Sequence, residues 1–200
     1  PDRIEAGTYA IAGAVTGGEV TLTGAPCDHM TAFLDVLGRA GVVVACDGDR
    51  IAIDGRGVAD GGLRACDIET ATYPGLPTDV QPPTCVLLTQ ATGTSTVHEA
   101  IFEDRLEWLT ELNRMGANIK IVDKHHAAIR GRTPLHGAVA EIGDLRAGAS
   151  LILAALAADG ESTIHGAHHV QRGYENIERK FADLGARIAR LEEGTVSTSS

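Results

Sequence analysis

The chain has 200 residues, 44% hydrophobic and 22% charged, an ordinary balance for a globular domain and enough to bury a sizeable core. Its 17 basic and 27 acidic residues leave a formal charge of −10, which argues against a nucleic-acid partner, because such a surface needs basic groups to displace counterions. The longest strongly apolar run, residues 149–158, is too short to span a bilayer, and with aromatics at 4% the core must come from Ala, Val, Leu and Ile.

In chain order, residues 8–15 are apolar all round and rich in small side chains, as a buried helix is. Gly18 reads as the stop of that helix, and Glu19-Val20-Thr21-Leu22 alternates as a strand does. Phe33, Leu34 and Leu37 carry helical spacing up to Gly41. A strand over 42–46, the tight turn Asp47-Gly48-Asp49 and a strand over 51–54 follow.

The same order then recurs. A strand over 62–68 leads to an apolar helix at 84–89, Gly93 and a strand to Val97. Leu106, Leu109 and Leu112 mark a helix up to Gly116, and strands over 119–122 and 127–130 flank a weaker Asp123-Lys124 turn. A third copy has a strand over 138–142, an apolar helix at 150–158, Gly160 and a strand to Ile164. Ile177, Phe181 and Leu184 mark its second helix up to Gly185, before a strand over 186–188. The paired glycines stand 23, 23 and 25 residues apart. The predicted fold is α/β, one domain of three β-α-β-α-β-β units over residues 1–61, 62–132 and 133–200. Three buried helices surrounded by sheets would share a single core. The leading strand of the first copy is expected to lie outside this chain, which opens at Pro1-Asp2, and residues 195–200 to form a last strand or a loose tail.

Cys27, Cys46, Cys66 and Cys85 show no CxxC spacing and read as four free structural thiols. His125-His126 and His168-His169 are neighbours whose side chains point apart, and no HExxH pattern completes His98-Glu99, so no metal site is expected. The Gly-rich stretch 13–18 lacks a GK[ST] ending, and no nucleotide cofactor follows from it. Asp79 precedes an apolar helix and reads locally as an N-cap or as a functional carboxylate. Pro82-Pro83 suits the first turn of a helix but disfavours helical geometry at Gln81 and Pro82, so a shifted helix start that moves Asp79 is expected. Arg146, just ahead of the third apolar helix, and Arg172 read as anion clamps or as solvated surface groups. Glu5 reads as a helix N-terminal charge.

Six motifs follow in order: residues 1–8 (PDRIEAGT), 77–81 (PTDVQ), 101–105 (IFEDR), 111–117 (ELNRMGA), 144–147 (DLRA) and 172–175 (RGYE). Together they resemble the second half of the enolpyruvyl transferases, in particular those acting on UDP-N-acetylglucosamine in peptidoglycan precursor synthesis, over nearly the whole chain. The resemblance implies a cytoplasmic two-domain enzyme in which each domain is an inside-out α/β barrel of three units. It places the active site between the domains, with phosphoenolpyruvate and UDP-N-acetylglucosamine as substrates and phosphate as a product. It assigns the catalytic cysteine and an essential lysine to the first domain, which this chain lacks, and completes the second domain with the N-terminus of the whole protein. Within this chain it implies Asp79 as the base and Arg146 and Arg172 as contacts of phosphoenolpyruvate. Asp144 would orient the loop or the reacting group, Arg105 would line the cleft, and Ile101 would approach the sugar nucleotide through its backbone. No cofactor is implied, and the isolated chain is expected to be inactive. Asp104 stands where the family usually has Asn, Gln171 where it has Asp, and Pro82-Pro83 where non-proline residues are usual. These departures leave open a paralogue with another acceptor. A non-catalytic repeat scaffold for protein binding is the alternative from a different class.

Overall fold

Asp2 opens the first helix: its carboxylate accepts the Ile4 N–H at 2.8 Å, and α1 (Arg3–Val15) is buried continuously from Gly7 to Val15. The computed structural model describes residues 2–58 and 62–191. Helix α3 (Gln81–Thr89) is buried at every position, and α5 (Leu145–Ala157) from Ala147 to Ala154. The three helices touch one another and form the centre of the molecule. Apolar character on all sides is what such a position requires.

Three sheets surround this centre. In the first, β1 (Glu19–Thr23), β2 (Val43–Asp47) and β3 (Arg50–Asp54) run antiparallel in the order β1-β3-β2, with Glu19 opposite Asp54 and Asp47 opposite Arg50. The β2–β3 turn is two residues long, and its Gly48 takes φ +60°, as a tight hairpin of this hand demands. The second sheet has the order β4-β5-β7-β6, from β4 (Ile68–Glu69), β5 (Gly93–His98), β6 (Ile119–Ile121) and β7 (His126–Gly131). Its β4–β5 pair is parallel and the other pairs antiparallel. The third holds β8 (Val139–Glu141) parallel to β9 (Thr163–His165). Ile51, Ile53, Val97, Ala127 and Ile129 alternate into the core from β3, β5 and β7.

Outer helices α2 (Thr31–Arg39), α4 (Leu109–Arg114) and α6 (Ile177–Asp183) bury one face each, through Phe33 and Leu37, Leu109 and Leu112, and Ile177 and Phe181. All three end alike. Gly41, Gly116 and Gly185 take φ of +93°, +98° and +97°, and the next residue's N–H reaches back to Leu37, Leu112 and Phe181 at 2.9, 3.0 and 2.9 Å. This is the Schellman stop, in which a left-handed glycine lets the chain satisfy two terminal carbonyls.

Several expectations are corrected. The first glycine of each pair does not cap the buried helix; the caps are Thr16, Gln90 and Ala158, and Gly93 (φ +116°) and Gly160 (φ +93°) bend the chain into the next strand. Leu184 is exposed, because α6 ends one residue before it. Of the strand expected over 62–68, only a bridge at Arg64 and the two residues of β4 form, and residues 186–188 form no strand. Residues 195–200 lie outside the described residues. Cys27 and Cys46 are joined in a disulfide, so only Cys66 and Cys85 are free. The short turn at Cys27–His29 crosses the β2–β3 hairpin, with the Cys27 N–H on the Gly48 carbonyl, a long-range placement that a 19-residue spacing does not reveal. Among the described residues no closed barrel is present, and no helix is long and apolar enough to cross a membrane.

Candidate functional site

Asp79 sits in a single 3-10 turn (Thr78–Val80) directly ahead of α3. Pro82 and Pro83 occupy the first turn of α3, where a missing N–H costs nothing. Gln81 is nevertheless helical, at φ −60° and ψ −47°, against the expectation that the prolines would shift the helix start. The pre-proline restriction is a preference that a well-packed buried helix overrides.

The Asp79 carboxylate does not cap α3. Its Oδ1 accepts from Arg105 Nη2 at 2.7 Å, and its Oδ2 accepts from Arg146 Nη2 at 3.2 Å. The three side chains are 36%, 24% and 15% exposed, so the cluster is partly withdrawn from water, where charge–charge contacts are stronger. Arg105 comes from the loop after β5 and Arg146 from the first turn of α5. The Arg146 guanidinium lies 5.4 Å from the Tyr174 ring centre, and Tyr174 hydrogen-bonds Thr8 Oγ1 at 2.8 Å. Burial opposes the charge on Arg146, but Tyr174 and Asp79 outweigh it and hold the group above its ordinary value. Arg146 Nη1 is buried and bonds no described residue.

Asp144 is the N-cap of α5: its Oδ1 accepts from the N–H groups of Arg146 and Ala147 at 2.8 and 3.0 Å. That bond pair fixes the first turn from which the Arg146 side chain departs. Arg172 closes a 3-10 turn (Ala167–Arg172) and faces the same space. Asp79, Arg105, Asp144, Arg146 and Arg172 thus line one open cleft of about 480 Å³. Ile101 lies outside it; the residue is 38% exposed and its backbone N–H points inward to Glu99 Oε1 at 3.0 Å. Glu5 pairs with Lys180 at 2.7 Å, away from the cleft lining.

The cleft also includes Gly143 and Leu145, which the sequence did not assign to a site, and His169, which it presented only as half of a histidine pair. One signal was available: His169 and Arg172 are three apart, and on a 3-10 turn residues at that spacing share a face. The two free cysteines lie elsewhere. Burial pushes the Cys85 thiol up to about 12 and also raises Cys66, so neither is a ready thiolate. Asp104 takes φ +58°, a left-handed conformation that Asn and Asp adopt more readily than other non-glycine residues.

Two guanidinium groups meet one carboxylate, and a third lines the same open cleft, on a helix-centred α/β scaffold. The family described as EPSP synthase (3-phosphoshikimate 1-carboxyvinyltransferase) matches residues 1–181, and the chain belongs to that family. It is 48% identical over 193 residues to the UDP-N-acetylglucosamine 1-carboxyvinyltransferase of Koribacter versatilis, covering 96% of this chain and 43% of that protein. To the enzyme of the same name from Clostridium botulinum it is 46% identical over 191 residues, covering 96% and 45%. Among solved structures, the enolpyruvyl transferase NikO from Streptomyces tendae superposes with a TM-score of 0.86 at 31% identity, over 94% of this chain and 44% of that one. EPSP synthase from Acinetobacter baumannii shares the fold, with a TM-score of 0.72 at 20% identity over 95% and 46%. The chain spans less than half the length of these relatives.

Proposed function

We propose that this chain is the base-bearing, anion-holding domain of an enolpyruvyl transferase that moves the enolpyruvyl group of phosphoenolpyruvate to UDP-N-acetylglucosamine, in the cytoplasmic synthesis of peptidoglycan precursors. The observation that carries this reading is the Asp79 carboxylate held between Arg105 and Arg146 in the cleft. The whole chain serves as one domain of three repeated units, over residues 1–61, 62–132 and 133–200, in the inside-out α/β arrangement. A first domain closes over the cleft and supplies the remaining active-site groups, including the acid that protonates the methylene carbon.

The chemistry follows from the residues. Arg146 and Arg172 take the carboxylate and phosphate of phosphoenolpyruvate, for which the planar guanidinium is suited. An arriving anion draws Arg146 from Asp79 and occupies its unpartnered Nη1. Asp79 is then released to accept the proton of the acceptor hydroxyl as its oxygen attacks C2 of phosphoenolpyruvate. Loss of phosphate from the tetrahedral adduct, with a proton leaving its methyl group, regenerates the double bond. Asp144 keeps the α5 turn, and hence Arg146, in place; Arg105 holds Asp79 at the cleft wall; the Ile101 carbonyl faces the sugar nucleotide.

Calorimetry with phosphoenolpyruvate and UDP-N-acetylglucosamine tests this, using the chain alone and after adding a first domain from a relative. Binding in the mixture that falls at least about tenfold in Arg146→Ala is expected, since a charged hydrogen bond is worth about 1.5–3 kcal/mol. Binding unaffected by that change would sink the assignment. A second reading, a paralogue with another acceptor, draws on the likeness to NikO and on the departures at Asp104 and Gln171. It predicts that the mixture binds phosphoenolpyruvate but not UDP-N-acetylglucosamine.

A further inference from the structure

Glu99, directly after β5, is the one charged residue among the described residues with no exposed surface. No ion pair joins it to another described residue. Its partners are four donors. Oε1 accepts from Thr70 Oγ1 at 2.8 Å and from the N–H groups of Ile101 and Phe102 at 3.0 and 3.2 Å, and Oε2 accepts from Thr78 Oγ1 at 2.8 Å. The Thr70 hydroxyl in turn accepts the Ala100 N–H at 2.9 Å.

Burying a carboxylate is costly unless its oxygens are bonded, and these are. A carboxylate only accepts, so it dictates the direction of every donor around it. The donors come from three separate segments: the stretch after β4, the turn that carries Asp79, and the loop that leads to Arg105. Thr78 is the neighbour of Asp79, and Arg105 bonds Asp79 at 2.7 Å. Glu99 therefore holds from beneath the same two segments whose charged side chains meet in the cleft above.

We propose that Glu99 is a positioning residue for the transfer reaction: its buried carboxylate locks the Thr78–Asp79 turn against the 101–105 loop and so sets where the Asp79 carboxylate stands. The inference rests on the reading of Asp79 as the base. A displacement near 1 Å at a reacting group costs about 100-fold in rate. The role belongs to acceptor geometry and not to bulk. Glu99→Gln preserves the volume but presents an NH2 group to Thr78, whose bond must reverse.

The test uses the two-domain enzyme. In Glu99→Gln, kcat for phosphate release falls about 10- to 100-fold while KM for phosphoenolpyruvate stays within about twofold. Thr78→Val reproduces the loss, and Thr78→Ser, which keeps the hydroxyl, restores most of the rate. The deciding measurement is the double-mutant cycle with Asp79→Asn. If Glu99 acts through Asp79, adding Glu99→Gln to that background costs nothing further in kcat. An equal loss in both backgrounds overturns the proposal, because a residue that merely supports the fold costs the same with or without the base. An unchanged kcat in Glu99→Gln overturns it as well. Absence of transfer in the unmodified enzyme would count against the proposed function instead. In that event the Arg105 side-chain NMR resonance of this chain decides: it shifts in Glu99→Ala, with the exchange of the buried Leu87 amide unchanged. No shift, or faster exchange at Leu87 too, defeats the proposal.

Discussion

Two open grooves of similar size cut the surface of this molecule, and their charges are organised differently. The cleft around Asp79 measures about 480 Å³, and a second groove between α2 and the second sheet measures about 570 Å³. The second groove is also rich in titratable groups, including Asp35, Arg39, Asp67, Glu69, His98 and His126. Its pairs are exposed or long: Arg39 with Asp35 one helical turn away, both well over a third exposed, and His98 with Glu69 at 3.5 Å. In the cleft, by contrast, Arg146 is 15% exposed and meets a carboxylate 67 residues away. Size and charge content are much alike in the two; burial of charge and the sequence distance over which it is paired are not.

The comparison can be broken most sharply at Asp79. Asp79→Asn, assayed in the two-domain enzyme, should lower the turnover for phosphate release by about 10³-fold, within the range for loss of a general base. A fall of less than about tenfold would place Asp79 on a par with the groove carboxylates. A smaller contrast concerns stability. Tyr174→Phe removes a buried hydroxyl from Thr8 and should lower the unfolding free energy in urea by about 1 kcal/mol. Asp35→Ala breaks an exposed helix pair and should change it by less than about 0.5 kcal/mol. Equal losses would mean that the groove is as tightly built as the site. The smallest effect lies behind the groove, at Cys66. Burial raises its thiol; Arg39 acts the other way and lowers it, while Asp67 and Asp35 raise it. Arg39→Gln removes the lowering charge, so less thiolate is present at pH 8. Alkylation there should slow by about twofold, an effect of the size expected for one screened charge. Faster alkylation would contradict the sign.

The fold was legible where the signal is local. Gly41, Gly116 and Gly185 each follow an amphipathic run, and a left-handed helix stop is written in one residue and its two neighbours. The all-apolar stretches that became α1, α3 and α5 were equally plain. The Cys27–Cys46 disulfide was not legible, because it depends on how one turn lies across a hairpin. Nor was the helical state of Gln81 before two prolines, where packing decided against local preference. Within the cleft, Asp79, Arg105, Asp144, Arg146 and Arg172 were singled out through family motifs; residue pattern alone left Arg146 and Arg172 divided between anion clamps and solvated surface groups. Glu99 stayed hidden for the opposite reason. Its role depends on four donors from three segments, and beside His98 it looked like a fragment of a metal motif.

The hydrogen bond between Thr8 and Tyr174 spans 166 residues and lies beneath Arg146. Thr8 is synthesised well before Tyr174. Until both have arrived and packed, Arg146 has no ring to rest on. Loop closure over such a distance is slow relative to the local helices and hairpins that form first. A chain that stops short of Tyr174 therefore carries Asp79, Arg105 and Arg146 but lacks the ring against which the Arg146 guanidinium packs.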